Sequence, residues 1–258
     1  MLWSAYISVG LFVALLGGMA VGRRARARSG AADDEGGTAS DGIVYAVLGL
    51  LIAFTFTNAA SRFDERRRLI LQQSNALGTA NLRLDVLPPD DRRAVREQLA
   101  RWIRLALAVR EAASDPERLR AALAEADRVQ NEAWRLAVAA VERKQQPALN
   151  AFVLAPFNDW IDLTTSRLAM DDMGSPPMVM PSLVALALVA SVLAGVSMKR
   201  RGRRDVLHMV AFAAAVAFSI YVIHDLNHPR SGLITVNAMD ETMRQLLPAV
   251  ERPTDGTK

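Results

Sequence analysis

Long runs of uncharged, mostly apolar residues constrain this chain more than any other feature. Residues 1–22, 42–61 and 173–198 contain no charged side chain, and a fourth run, 206–223, is interrupted only by His208. A helix needs about 20 apolar residues to cross roughly 30 Å of hydrocarbon at 1.5 Å per residue. Each run meets or approaches that length, so the sequence predicts four transmembrane helices and a lipid bilayer around them.

The flanks of the first run distinguish a membrane anchor from an export signal. A secretory signal carries its positive charge before the apolar run, whereas here the basic cluster at residues 23–28 follows it. We therefore expect the first run to be retained as a span. The chain has no cysteine, which excludes disulfide and thiol chemistry.

Basic residues are concentrated in two short loops between predicted spans. Nine of the 31 Lys and Arg residues lie in segments 23–28 and 199–204, a pattern typical of cytoplasmic loops and not of a nucleic-acid-binding surface. The positive-inside rule then places residues 62–177 outside the cell. The opposite orientation stays open, because Arg62 and the run Arg66 to Arg68 lie directly at the membrane exit.

The region between the second and third spans carries helix punctuation and no strand pattern. Pro88 and Pro89 suit the first turn of a new helix, and Asp90 with Asp91 suits its positive end. The segment SDPE at 114–117 indicates a further helix start, with Ser114 and Glu117 as a capping box. Each helix has one apolar stripe to bury, so we expect a small antiparallel bundle.

The second span is predicted to continue into this bundle without a break. One helix from Gly42 to Val86 would be on the order of 67 Å long, about twice the hydrocarbon thickness. Within the projecting part, Ser74, Ala76 and Gly78 are small enough for close helix contact. The predicted fold is all-α: four transmembrane helices with a helical bundle inserted between the second and third. The predicted boundaries are 1–61 for the first two spans, 62–177 for the bundle, 178–224 for the last two spans and 225–258 for a C-terminal tail.

Two of the three histidines lie close to an aspartate at the end of the fourth run. His224, Asp225 and His228 fall within about one turn, a spacing that could hold a metal through nitrogen and oxygen. The alternative is a helix end at which a cationic side chain is favoured by the helix dipole. We favour this alternative and expect no metal. His208, at the start of a span, is expected to be an interfacial hydrogen-bonding residue.

The sequence contains none of the common catalytic or phosphate-binding motifs, so we expect neither an enzyme nor a cofactor.

Four sequence blocks resemble one known family. SRFDERR, SNALGTANLRLDVLP, NDWIDLTTSRLA and HDLNHPRSGLITV occur in this order between Gly42 and Val236, and together they are similar to the bestrophin-like family of bacterial membrane proteins. The resemblance implies a multi-pass protein of the bacterial plasma membrane, distantly related to bestrophins, which are pentameric anion channels whose second transmembrane helix lines a narrow apolar neck. It thus implies a homo-oligomer that passes chloride or other small anions.

The resemblance and the helical spacing supply the candidate functional residues. Leu51, Thr55, Asn58 and Arg62 step by four, three and four and are predicted to line a pore on one face of the second span. The family-like blocks supply candidates for a structural polar network: Arg66, Asn75, Thr79, Arg83, Asp162, Arg167, Asp225 and Arg230. A membrane-anchored structural or sensory protein, whose bundle binds a partner, stays open as the alternative to a channel.

Overall fold

The protein is described here by a computed structural model that covers residues 2–29, 39–112, 115–172, 176–197, 203–227 and 237–251. These residues are almost entirely helical, and none of them lies in a β-strand. The helices are α1 (Leu2–Ser29), α2 (Ala39–Arg83), α3 (Pro89–Glu111), α4 (Pro116–Glu142), α5 (Pro147–Asp172), α6 (Val179–Ser197), α7 (Arg203–Asn227) and α8 (Asn237–Glu251), with a 3₁₀ helix at Leu84–Val86.

Four of these helices, α1, α2, α6 and α7, are long and apolar enough to cross a membrane. This confirms the four predicted spans and the all-α class. The unbroken second helix is also confirmed, since α2 runs for 45 residues before the 3₁₀ turn. The chain forms two compact units. The membrane unit comprises residues 1–64 with 174–234, and the bundle unit comprises residues 65–173 with 235–258.

In the membrane unit, α1 and α6 pack against each other through small residues. A Cβ atom added at Gly195 would overlap the carbonyl oxygen of Met19, and one at Gly22 would overlap that of Val192. Gly18 likewise leaves room for the side chain of Ser191. Glycines three or four residues apart let two backbones approach closely, which is how helices associate where hydrocarbon surrounds them.

The remaining core of the membrane unit is aliphatic. Leu15, Met19 and Leu183 are buried, together with Ile220 and Ile223 of α7. At one end of this core, the Arg26 side chain donates to the carbonyl oxygen of Val196 at 2.9 Å. That carbonyl lies in the last turn of α6, where it has no partner within its own helix.

The bundle unit is built around buried aromatic and aliphatic side chains. Trp102 of α3 and Trp160 of α5 pack edge to face, with ring centroids 5.0 Å apart, and Phe157 packs against Trp160 in the same way. Val95, Leu99 and further buried residues of α2, α3, α4 and α5 complete this core. The bundle therefore has the single hydrophobic centre expected of a water-exposed helical domain.

The helix starts in the bundle follow the sequence signals closely, with one difference. α3 begins at Pro89 with Asp90 and Asp91 in its first turn, as predicted. At α4 the N-cap is Asp115, whose carboxylate accepts from the backbone nitrogens of residues 117 and 118. The predicted cap Ser114 lies outside the described residues. Asp115 serves because Asp is as effective an N-cap as Ser, and Pro116 then occupies the first helical turn.

Helix α8 lies within residues 225–258, for which the sequence predicts only a C-terminal tail. It packs on the bundle: Met243 and Val250 are buried in the bundle core, and Glu251 forms a salt bridge with Arg104 of α3. The strongly amphipathic pattern of α8 was the signal that the sequence offered, because an apolar stripe at helical spacing needs a partner surface.

Candidate functional site

Helix α2 has a packed face and an exposed face within the membrane unit. On the packed face, Leu48 and Ala59 are buried in the core of the unit. On the opposite side, Val47, Leu50 and Phe54 are exposed, with Phe54 61% accessible. Steps of three and four residues keep each set on one side of the helix. The fold thus leaves one continuous side of α2 without a partner from the described part of the same chain.

The four pore-lining candidates divide between these two faces. The side chain of Thr55 is buried and donates to the carbonyl oxygen of Leu51 at 2.7 Å, while Leu51 itself packs partly against the membrane core. Arg62 is half-buried and donates to Asn227 at 3.1 Å. Asn58 alone of the four is exposed.

The predicted set therefore does not form one exposed face. Residue spacing of four, three and four cannot tell which side of a helix its neighbours cover. The centre of the exposed side is about a quarter turn away from the predicted set, at the 100° per residue of an α-helix, and it includes Leu50, Phe54, Thr57 and Ser61.

Two of the family-like blocks meet at the end of α7. The amide oxygen of Asn227 accepts from Arg62, and the amide nitrogen of Asn227 donates to the carbonyl oxygen of Ile223 at 2.9 Å. Asp225, two residues earlier, is only 1% exposed. The Arg62–Asn227 hydrogen bond joins α2 to α7 at the end of the span, a position where ionisable residues are costly unless they have partners.

A buried polar network in the bundle unit contains one predicted residue and three that were missed. The Gln73 and Gln130 side-chain amides donate to the hydroxyl oxygen of Thr164 at 2.7 and 2.9 Å. Thr164 in turn donates to the carbonyl oxygen of Trp160 at 2.8 Å. Arg167, which was predicted, donates to the side-chain oxygen of Gln73 at 2.8 Å. The network links α2, α4 and α5.

The signal for the missed residues was weak but present. Gln73 and Gln130 occupy positions at which the apolar stripes of α2 and α4 call for an aliphatic side chain, beside Leu77 and Val129. A buried glutamine is expected to be hydrogen-bonded, so each of these positions implied a partner. Only the structure shows that the shared partner is Thr164.

Three further predicted network residues also have partners. Arg66 is buried and lies 3.6 Å from the carboxylate of Asp171, a residue outside the predicted set. Arg83 donates to the carbonyl oxygen of Phe152 at 2.8 Å and lies over the ring of that residue. Asp162 accepts from Asn158 one turn earlier on α5.

The remaining candidates are less informative. Asn75 is exposed and Thr79 is partly buried on α2, and Arg230 lies outside the described residues. Of the metal candidates, His228 also lies outside them. Among the residues that the structure does describe, no group of three His, Cys, Asp or Glu side chains is placed to hold a metal ion.

Ion pairs between residues three apart on α4 lie on the exposed surface of the bundle unit. Arg128 forms hydrogen bonds with Glu125, and Arg135 with Glu132, and these bonds lower the pKa of both carboxyl groups below the ordinary value. Arg101 of α3 also contacts Glu125, at 2.5 Å. Such exposed pairs contribute little stability individually, and they mark this surface as solvated.

Comparisons with known proteins agree with this architecture. A family model described as a Bestrophin-like domain matches residues 9–239. No curated protein matches the sequence. Among solved structures, a variant of a bacterial bestrophin homologue from Klebsiella pneumoniae is similar, with a TM-score of 0.77 and 14% identity over 95% of this chain and 97% of that chain.

Two other solved structures give the same result. A second structure of the Klebsiella pneumoniae homologue has a TM-score of 0.76 at 14% identity, over 94% of this chain and 97% of that chain. A variant described only as a membrane protein has a TM-score of 0.75 at 16% identity, over 95% and 99%. At such identities the likeness establishes the fold. Since the family model covers most of the sequence, from residue 9 to residue 239, this chain belongs to the bestrophin-like family of membrane proteins.

Proposed function

We propose that the protein is a homo-oligomeric channel of the bacterial plasma membrane, in which α2 of every copy lines a central path for chloride or other small anions. The fold of solved bacterial bestrophin homologues supports this proposal, as does the resemblance to channels whose second transmembrane helix lines the neck. The path-lining face differs from the one that residue spacing alone suggested.

The observation that carries the proposal is the exposed polar end of α2. Asn58 and Ser61 are exposed on the same side of the helix as Leu50 and Phe54. An exposed side-chain amide inside a span is costly against hydrocarbon, whereas a water-filled path satisfies it. The large exposed side chains of α6 and α7, such as Val189 and Phe218, are apolar and suit contact with lipid.

The order of side chains along this face gives the path its character. Leu50 and Phe54 lie deeper in the span, and repeated around an axis they form an apolar constriction. Asn58 and Ser61 follow toward the exit and form a polar, hydrated segment. Hydrophobic constrictions gate channels by expelling water, so the Phe54 position is the candidate gate.

Anion preference follows from the positive charge at the exit. Arg62 is held by Asn227, and one such guanidinium from every copy would raise the local potential and concentrate anions. Arg62→Gln removes the charge and keeps a polar side chain, and Arg62→Glu reverses the charge. Arg135→Glu, on the solvated bundle surface, is the matched control.

Reconstitution in vesicles tests this function. Native mass spectrometry first counts the subunits of the purified protein. The reversal potential of the ion current through the reconstituted protein is then measured in a chloride gradient. We expect an oligomer with anion preference, loss of that preference in Arg62→Gln, a shift toward cations in Arg62→Glu, and no shift in Arg135→Glu. If the wild type assembles but passes no ions, the channel hypothesis is contradicted. The alternative, a membrane-anchored structural or sensory protein, is then favoured.

The proposed orientation places the bundle unit outside the cytoplasm. Because the chain has no cysteine, single cysteines at Ser29, Ser114 and Gly202 can be labelled without background. In intact cells, an impermeant thiol reagent should label position 114 and neither of the others. Labelling of positions 29 and 202 with protection of position 114 would show that the bundle unit is cytoplasmic. That result would not affect the proposed ion path.

A further inference from the structure

A groove in the membrane unit has a shape and a lining that the channel proposal does not use. It has a volume of about 280 Å³ and lies between α1, α6 and α7. Its apolar part is formed by α1, α6 and α7, through Gly10, Leu11, Ala14, Met180, Val184, Leu188 and Ile220. Two of the α1 lining residues, Gly10 and Ala14, are small, and they leave space beside the aliphatic side chains of α6 and α7.

The polar groups of the groove lie at one end. Ser8, Tyr221 and His224 also line it, and each lies nearer to a terminus of its span than the apolar residues do. Along α6 the lining runs from Met180 to Leu188, which is about 12 Å at 1.5 Å per residue. The groove is therefore polar near the membrane boundary and apolar for most of the depth of one leaflet.

The α1 wall of the groove lies on an exposed side of the membrane unit. Gly10 and Ala14 are exposed, and the neighbouring side chains Val9 and Val13 are 62% and 60% exposed on the same helix. Within a membrane the medium at this surface is hydrocarbon, and a gap of this size between spans is filled by whatever chain lies beside it.

We propose that this groove binds one acyl chain of a bilayer phospholipid, with the polar part of the lipid at Ser8, Tyr221 and His224. The apolar walls match the chain, and the hydroxyl and imidazole groups match the ester and phosphate oxygens at the span end. A lipid bound there contacts α1, α6 and α7 together and fills the gap that Gly10 leaves.

The glycines of α1 provide matched variants for a test. A Cβ added at Gly10 meets nothing within 4 Å, and the same holds at Gly17, which does not line the groove. Both positions accept a Cβ, so Gly10→Phe is the variant chosen to occupy the groove, and Gly17→Phe places the same ring at a position of α1 that does not line it. Gly10→Ala gives an intermediate filling.

The probe is a phosphatidylcholine with a photoactivatable diazirine on one chain, mixed at low fraction into phosphatidylcholine vesicles that contain the full-length protein. After illumination, peptide mass spectrometry locates the label. A diazirine near the headgroup should label residues at the level of Ser8 and Met180, and one near the chain end should label the level of Ala14 and Leu188.

We expect labelling of the groove to fall at least fivefold in Gly10→Phe, to fall less in Gly10→Ala, and to stay unchanged in Gly17→Phe, with all variants eluting at the wild-type size. Equal labelling in Gly10→Phe and wild type overturns the proposal, as does labelling spread evenly over all exposed span residues. Crosslinks between two copies at these residues also overturn it, since they assign the groove to the subunit interface.

Discussion

The helices inside the membrane unit and the helices inside the bundle unit pack by different physical means. In the membrane unit the backbones of α1 and α6 approach each other closely at Gly22 and Gly195, and the core contains no tryptophan among the described side chains. In the bundle unit the centre is a cluster of Trp102, Phe157 and Trp160 beside a buried polar network.

The difference follows from the medium around each unit. In water, burial of a large aromatic surface drives association at roughly 25 cal/mol per Å². In hydrocarbon that gain is absent, and helices associate through close packing of small residues. The bundle unit therefore packs through large aromatic side chains, whereas α1 and α6 of the membrane unit pack through glycines.

The largest expected effect comes from removing the aromatic centre of the bundle. Trp160 is fully buried, so Trp160→Ala should cost about 3–5 kcal/mol of the unfolding free energy of that unit. Urea titration in detergent, followed by circular dichroism, measures the loss. Phe152→Ala on the same helix, where the ring is 45% exposed, should cost much less; comparable losses would show that Trp160 does not dominate the core.

A smaller effect is expected from adding one methyl group to the membrane unit. In Gly195→Ala the new Cβ overlaps the Met19 carbonyl oxygen, so α1 and α6 must separate, at a cost of about 1–3 kcal/mol. Gly17→Ala adds the same atom where nothing lies within 4 Å and should be neutral or stabilising. If the melting temperatures of the two variants in detergent are equal, close backbone packing is not what holds these helices.

The buried polar network of the bundle gives a third test. Thr164→Val removes the oxygen to which Gln73 and Gln130 donate, leaving two buried amides short of an acceptor, and should destabilise by about 1–3 kcal/mol. Thr165→Val is the matched control, since this exposed hydroxyl donates only within its own helix. Equal urea midpoints for both variants would show that water replaces the lost acceptor.

Much of this architecture could be predicted from the sequence. Uncharged runs located the spans, and Pro89 and Pro116 located helix starts, because these signals act within a few residues. The exposed side of α2 could not be predicted, since Thr55 looks like a pore residue until the neighbouring helices bury it. The Gln73 and Thr164 pair is 91 residues apart, a contact that local patterns do not encode.

The smallest expected effect concerns pH and the bundle surface. The pKa of Glu125 and that of Glu132 are lowered in the folded protein by their arginine partners. The stability that these two carboxylates contribute is therefore complete when the pH is above the ordinary pKa of 4.5, and it is lost as the pH falls below that value. Urea midpoints of the wild type should decline slightly more steeply below that pH than those of a double variant, Arg128→Gln with Arg135→Gln. Parallel curves would show that these pairs are fully screened.

The central claim is that the exposed face of α2 lines a conducting path, and thiol modification tests it most directly. Asn58→Cys introduces a thiol on this face, and Val189→Cys introduces one at an exposed position of α6, in a chain that otherwise has no cysteine. Chloride flux through vesicles containing each variant is measured before and after a charged, water-soluble methanethiosulfonate reagent. We predict that the reagent changes the flux through Asn58→Cys and leaves that through Val189→Cys unaltered. Unchanged flux in Asn58→Cys, with the thiol shown by mass spectrometry to be modified, would contradict the account.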